Sequence, residues 1–517
     1  MAGFSHDPFN DSSEQNIGDN YSFDPTHPAQ MRSFSGKENP PPDSCSFISG
    51  SRHPTLSDID LFAGEPSHGS LVLPKTIPLV NQDSENKLSR RAVYGRDLVF
   101  QSPQRSSHIA VFGPTGSGKN TSVIDPLRFS AITDSNHTLI NFSLKASDFG
   151  PISMLCKEVG KKLIVVNLND AWRSTKWNPL DTDDPDAAIS YIRRFADSVK
   201  NPLSSDSEFW TQWIKTAMIG AWQAGHRSFP AIYKLFSRPS ADLIKALLAH
   251  GNSSSRQLAE FLDGGSSNAN TVQASIVGSM VCFISKNVSR AMSDDELDIR
   301  NIFKEPVCLH VEIPETSLET HRVLYKMLAK SVTDALIDTA ETSVGSPIPA
   351  TVFFDDMPSL GCILTPERML TMRSREIGIV GGIQSMSSLE LAYGRTSRAL
   401  IDNFHTKIIL PGGPTDDAEY FSHSGGEQIV GLPIREGQQP MLVTRPLISA
   451  TEIRTPDYHH PLFGTPATLI SGATTFQAYL QRTYEHPWMV SLLRRASGIS
   501  GRERLRSWDI YIDVTDP

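Results

Sequence analysis

Seven short runs of apolar residues punctuate the chain, at 108–112, 138–141, 163–167, 307–311, 351–355, 379–383 and 407–410. Each is near-continuously apolar and is bounded by Gly, Pro, Asp or Asn. Strands covered by helices on both faces need this pattern, whereas half-exposed strands alternate apolar with polar positions. Helical stretches lie between several of the runs, the signal of repeated strand–helix–strand units and a parallel sheet. Between 185 and 300 the strand signal stops. Ile189, Ile192, Ala196 and Val199 share one helical face there, and Phe209, Trp210, Trp213, Ile214, Ala217, Met218 and Ala221 form a wide stripe at the same period. The stripe reads as helix core rather than as a base-stacking surface. Further helical patterns at 244–248 and 272–283 complete an all-α insertion, with a loop around Gly264, Gly265 and Ser266.

The ends of the chain have a different texture. Residues 1–90 are rich in Ser, Pro, Asn, Asp and Gly, and such a segment buries too little apolar surface to offset its ordering entropy. They read as a disordered, solvated tail, with a short docking motif at 56–62 as the alternative. The expected organisation is this tail, a sheet domain in two parts at 91–184 and 301–485, the all-α insertion at 185–300, and a C-terminal tail at 486–517.

Composition narrows the class. A chain of 517 residues that is 39% hydrophobic buries a large core. The formal charge of -9 excludes a surface coated in basic residues, but a local basic patch or a ring lumen can still hold nucleic acid. The five cysteines, Cys45, Cys156, Cys282, Cys308 and Cys362, are scattered without a CxxC pair, which suits a reducing cytosol and offers no zinc site. No apolar run approaches the ~20 residues that span a bilayer, and the first residues lack the features of a secretory signal. The chain is therefore expected to be cytoplasmic, with any inner-membrane recruitment peripheral.

Chemistry enters at Gly113-Pro114-Thr115-Gly116-Ser117-Gly118-Lys119. This G-x-x-x-x-G-K follows a strand and precedes a helix, the context in which backbone N–H groups and a helix N-terminus cradle the phosphates of ATP while the lysine meets the β- and γ-phosphate oxygens. The next residue is Asn120, not Ser or Thr, so the hydroxyl that ordinarily ligates Mg2+ is absent or displaced to Thr121. The run at 351–355 ends in Asp355 and Asp356. At the carboxyl edge of the sheet, Asp355 would hold the Mg2+ water shell and Asp356 would orient the attacking water; two acids in a solvated turn are the alternative. Gln384 ends another apolar strand, where a polar group needs partners. It is a candidate γ-phosphate sensor, or else a loop cap.

These motifs occur in the order found in a known family. The P-loop is followed by Trp177-Asn178-Pro179-Leu180 and by a helical stretch entered through Glu208-Phe209-Trp210. The Asp355-Asp356 strand, Gly378 to Gln384-Ser385, Leu391-Ala392-Tyr393-Gly394, Asn403 to Leu410, Ser424-Gly425-Gly426 and Arg445 to Ile453 come next. Over residues 95 to 485 the chain resembles the TraG/TraD-type coupling ATPases of type IV secretion and conjugation. The resemblance implies a RecA-like P-loop NTPase domain with an inserted all-α domain, a homo-hexameric ring, and ATP-driven delivery of DNA or protein cargo to a secretion channel. Relaxases and secretion-channel ATPases are the implied partners. A neighbouring subunit would supply an arginine to the γ-phosphate, for which the family pattern favours Arg373 over Arg375.

Three departures stand out. The N-terminal membrane helices usual in the family have no counterpart in the sequence. The second acid of the 351–356 strand is Asp356 rather than Glu, and one methylene less implies slow basal turnover. Of the Asp-Pro-Lys-Gly-Glu-like turn after the next strand only Lys145 is matched. The competing functions are a HerA/FtsK-like DNA translocase and a weakly hydrolysing ATP-binding adaptor.

Overall fold

Fifteen strands are formed among the described residues: β1 Ser46–Gly50, β2 Leu71–Asn81, β3 Arg90–Ala92, β4 Arg96–Phe100, β5 Ile109–Phe112, β6 Thr138–Ser143, β7 Lys162–Val166, β8 Val307–Glu312, β9 Ala350–Phe354, β10 Ile377–Ile383, β11 Thr406–Ile409, β12 Glu427–Leu432, β13 Met441–Pro446, β14 Thr465–Ser471 and β15 Thr474–Leu480. The structure, a computed structural model, describes residues 46–51, 56–59, 62, 66–81, 90–92, 96–102, 104–199, 207–264, 267–343, 346–432, 439–456, 464–497 and 499. Twelve strands make one sheet in the order β3-β2-β15-β14-β11-β5-β10-β9-β6-β8-β7, with β4 paired to β2. From β11 to β7 every neighbouring pair is parallel. All seven apolar runs of the sequence lie in this parallel part.

The reason is visible in the burial. Ile109 and Val111 belong to the core on one face of the sheet, and Ala110 and Phe112 to the core on the other. Leu163 and Val165 alternate with Ile164 and Val166 in the same way. Helices Asp125–Thr133 and Phe149–Val159 contribute Leu127, Phe129, Phe149 and Ile152 to one core, while the 28-residue helix Glu315–Thr342 contributes Leu324, Tyr325 and Leu328 to the other.

β10 lies between β5 and β9. The strand leading to the glycine-rich loop is thereby separated by one strand from the strand that ends at Asp355. Close packing explains the glycines of β10: a Cβ at Gly378 would lie 2.7 Å from the Arg105 carbonyl oxygen, and one at Gly382 would run into the Asp355 carbonyl.

Between β7 and β8 the described residues form helices and no strand. The helices are Pro185–Val199, Ser207–Gln223, Phe229–Phe236, Ser240–Ala249, Ser253–Asp263, Ser267–Ser279 and Lys286–Ala291. The segment 177–180 ties the beginning of this helical stretch to its end. Trp177 is buried and its N–H donates to Ala291 O at 2.8 Å. Asn178 Nδ2 donates to Arg227 O at 2.9 Å and to Ser293 O at 3.2 Å, and Trp222 Nε1 donates to Leu180 O at 3.2 Å. Of the aromatic stripe, Ile214, Ala217, Met218 and Ala221 are buried, Trp210 and Trp213 half-buried, and Phe209 exposed.

Ordered structure begins well before residue 91. Leu71, Leu73 and Leu79 of β2 are buried, and β2 pairs antiparallel with β15 on one side and β3 on the other, and with β4. The motif at 56–62 serves this core: Ile59 is buried, and Phe62 packs with its ring centroid 6.1 Å from that of Phe100 and 6.0 Å from that of Phe476. β1 pairs with β12 in a small separate sheet that β13 completes. Residues 1–45, the first half of the expected tail, lie outside the described residues. At the other end, helix Pro487–Ala496 buries Met489, Leu492 and Ala496, so the chain remains packed beyond residue 486; residues 500–517 lie outside the described residues. No helix among the described residues is long and apolar enough to cross a membrane.

Candidate nucleotide site

β5 hands its chain to a turn that only a glycine-rich sequence can make. Gly116 and Gly118 have φ of 81° and 93°, a region strained for residues with a Cβ. At Gly113 a Cβ would lie 2.6 Å from Ser117 Oγ and 3.0 Å from Leu410 Cβ. Pro114 and Thr115 form the outer bend. The loop then enters a π-helical turn, Asn120–Ile124, which continues into helix Asp125–Thr133.

Lys119 is half-buried, and its Nζ donates to the carbonyls of Gly113 and, at 3.1 Å, Pro114. Burial lowers the lysine's pKa; Asp356 works against that, and Lys145 adds to it. Two donor-bearing groups of the loop, Ser117 Oγ and Asn120 Nδ2, are buried without a hydrogen-bond partner among the described residues. Thr121 Oγ1 donates weakly to Gly118 O at 3.4 Å.

Because β5, β9 and β10 are parallel, their carboxyl ends share one edge. Gln384, directly after β10, donates from Nε2 to Asp356 Oδ2 at 2.7 Å, and Ser359 Oγ donates to the same oxygen at 2.8 Å. Asp356 and Gln384 are therefore in contact, and Lys119 lies within electrostatic reach of Asp356. Lys145 is exposed on the same edge.

Asp355 is turned the other way, into a buried polar cluster that the sequence did not disclose. Arg128, fully buried on the helix after the loop, lies 3.5 Å from Asp355 Oδ1 and 3.0 Å from Asp148 Oδ2, and it also pairs with Asp125. Its Nη1 donates to Asn141 Oδ1 at 2.9 Å. Ser143 Oγ lies 2.7 Å from Asp148 Oδ2 and 2.9 Å from Asp355 Oδ2 and can donate to only one of them at a time. Three carboxyls around one guanidinium cannot all ionise cheaply. Burial, offset by Arg128, pushes Asp355 up to about 7 and Asp125 up to about 6. Burial opposes the charge on Arg128 too, but Asp148, Asp125 and Asp355 together outweigh it and hold the guanidinium protonated. No hydrogen bond joins Thr121 to Asp355. An arginine in the helical sequence Asp125-Pro126-Leu127-Arg128 reads as a solvated charge until the topology sets β6 and β9 beneath it.

Arg373 lies at the other edge of the sheet. It ends helix Pro366–Arg373, is exposed, and stands beside His108, Asp402 and His405 just before β10 begins. The seven residues of β10 separate it from Gln384, roughly 20 Å of strand. It cannot reach the glycine-rich loop of its own chain.

A glycine-rich phosphate loop after β5, with one added strand between it and the acid-ending strand, defines a RecA-like P-loop NTPase. Residues 73–215 and 243–431 match the family of type IV secretory system conjugative DNA transfer proteins. That is more than half of the chain, and the protein belongs to this family. No curated protein matches it by sequence. Among solved structures, the unbound bacterial conjugative coupling protein TrwB aligns over 84% of this chain and 94% of its own at 18% identity, with a TM-score of 0.61. The plasmid coupling protein TrwB in complex with ADP and Mg2+ aligns over 87% and 96% at 18% identity, also with a TM-score of 0.61. The complex with the GTP analogue GDPNP aligns over 84% and 94% at 17% identity, with a TM-score of 0.60.

Proposed function

We propose that the protein is an ATP-driven coupling motor that delivers DNA to a type IV secretion channel, working as a homo-hexameric ring. The observation that carries the reading is the contact of Gln384 with Asp356 at the carboxyl edge of β5, β9 and β10, the edge that also bears the glycine-rich loop and Lys119. The loop fits nucleotide phosphates: a Cβ built at Gly116 would meet nothing within 4 Å, so the backbone there is open to a ligand, and Ser117 Oγ and Asn120 Nδ2 are buried polar groups without a partner among the described residues.

ATP with Mg2+ supplies the anhydride to be broken and the charge that neutralises it. Residues Gly113 to Thr121 bind and orient the phosphates through their backbone N–H groups, and Lys119 is the countercharge. Thr121 would hold the metal, and Asp355 would join it only by leaving the Arg128 and Ser143 contacts that now engage its carboxyl. Asp356 accepts a hydrogen bond from the attacking water, and Gln384 both senses the γ-phosphate and fixes Asp356 through their 2.7 Å bond. Arg373 acts on the site of a neighbouring subunit. The weakly hydrolysing adaptor stays as a second reading, favoured by the engagement of Asp355 with Arg128 and Ser143 rather than with Thr121.

Two variants separate binding from hydrolysis. Lys119→Ala should lose ATP binding in a calorimetric titration while melting like the parent. Asp356→Asn should bind ATP normally and hydrolyse it on the order of a hundredfold more slowly, the scale of a positioned base. Unchanged ATP affinity in Lys119→Ala would sink the motor reading. An unchanged rate in Asp356→Asn would move the catalytic carboxylate elsewhere.

A further inference from the structure

The phosphate loop has a neighbour that the mechanism above does not use. The segment leaving β15 runs directly against the first turn after the loop. Thr483 N donates to Thr121 O at 2.8 Å. Thr465 Oγ1, at the start of β14, lies 2.8 Å from Ser122 Oγ and accepts from Arg482 Nε at 2.9 Å. A Cβ at Gly118 would stand 3.3 Å from the same Thr465 oxygen. Arg482 is therefore two hydrogen bonds away from Ser122, the residue that follows the phosphate loop. It is also held rigidly, because its N–H donates to Glu485 Oε2 at 2.9 Å and its Nη1 to Glu485 Oε1 at 3.2 Å.

Beside it stands Tyr484, 57% exposed, with the Arg482 guanidinium 5.7 Å from its ring centroid. An exposed aromatic ring backed by a fixed cation is an unsatisfied stacking surface. The Lys119 end of the loop receives the terminal phosphates, so the α-phosphate and what it carries leave past the first helical turn, at Thr121 and Ser122. The 482–485 segment flanks that turn.

We propose that Tyr484, positioned by Arg482, is the base-stacking platform of the nucleotide site. This rests on the reading of 113–121 as a phosphate-binding loop. A flat ring reads the area of a base and not its edge, so adenine and guanine nucleotides are held alike by this pair and pyrimidine nucleotides less well.

The test compares ATP with inorganic tripolyphosphate, which has the phosphates and no base, by calorimetry on the full chain with the same Mg2+. Tyr484→Ala should weaken ATP about tenfold, the scale of one lost base stack, and leave tripolyphosphate unchanged. Tyr484→Phe should restore ATP affinity. Parent-like ATP affinity in Tyr484→Ala would overturn the platform. Equal weakening of both ligands would also overturn it, since the ring would then be supporting the loop. Lys119→Ala separates the two ideas: it should lose both ligands whatever Tyr484 does. A parent chain that binds neither ligand would refute the phosphate loop itself, and the platform with it.

Discussion

His108 shows how far a single residue can be set by its surroundings. It is a non-glycine residue at φ 68°, buried at the amino end of β5, and its Nε2–H donates to Met369 O at 2.9 Å. Burial, with Arg373 and Arg105 adding to it, pushes its pKa down to about 4 despite the Met369 carbonyl. In the unfolded chain the imidazole titrates near its ordinary value of about 6.5. Between those values the unfolded state binds more protons, so stability falls as the pH drops through 6.5 towards 4. The expected contribution is about 2 kcal/mol of the stability lost between pH 7 and pH 5. His108→Asn removes the titration with a residue that tolerates positive φ. Its Tm should drop less between pH 7 and pH 5 than the parent's, and an equal drop would show that the histidine is not buried in its neutral form. Arg128 is the opposite case, a residue whose role was illegible because its partners Asp125, Asp148 and Asp355 come from three elements.

At the scale of the element, β10 carries the site. Its seven residues are all buried, and its glycines let β5 and β9 close on either side. Gly382→Ala places a methyl against the Asp355 carbonyl, 2.9 Å from its carbon and 3.1 Å from Ile124 Cδ1. Overpacking of this kind costs about 1–3 kcal/mol, and here it displaces the turn that bears Asp355 and Asp356. The expected result is a lowered Tm, with hydrolysis reduced further than the folded fraction alone explains; a parent-like Tm and rate would show that β9 and β10 have room to move apart. The parallel strands were legible in the sequence because both their faces are covered. β2, β14 and β15 were not. Pro74 and Pro78 in β2 argue against a strand, and the threonines of β14 and β15 imitate loop composition. The contact of Thr483 with Thr121, just after the phosphate-loop lysine, depends on that missed hairpin.

The molecule as a whole has its candidate catalytic groups on one sheet edge and Arg373 on the other. On the proposed action of Arg373 in trans, the site is completed by a neighbour whose amino edge faces this chain's carboxyl edge. Arg373→Ala should bind ATP normally and hydrolyse it poorly, and mixing it with Lys119→Ala chains should restore part of the rate, since each supplies what the other lacks. Absence of rescue would leave Arg373 as a surface residue. The family of the chain was legible from the order of its motifs. The position of the 177–180 segment, which joins the two ends of the helical stretch, needed the fold.

The most direct test of the coupling motor is steady-state ATP hydrolysis by the parent chain with and without single- and double-stranded DNA. Slow basal turnover that rises severalfold or more with DNA, and disappears in Lys119→Ala, is the expected result. A rate that DNA leaves unchanged while ATP binds normally would contradict the motor and favour an adaptor that binds nucleotide without translocating.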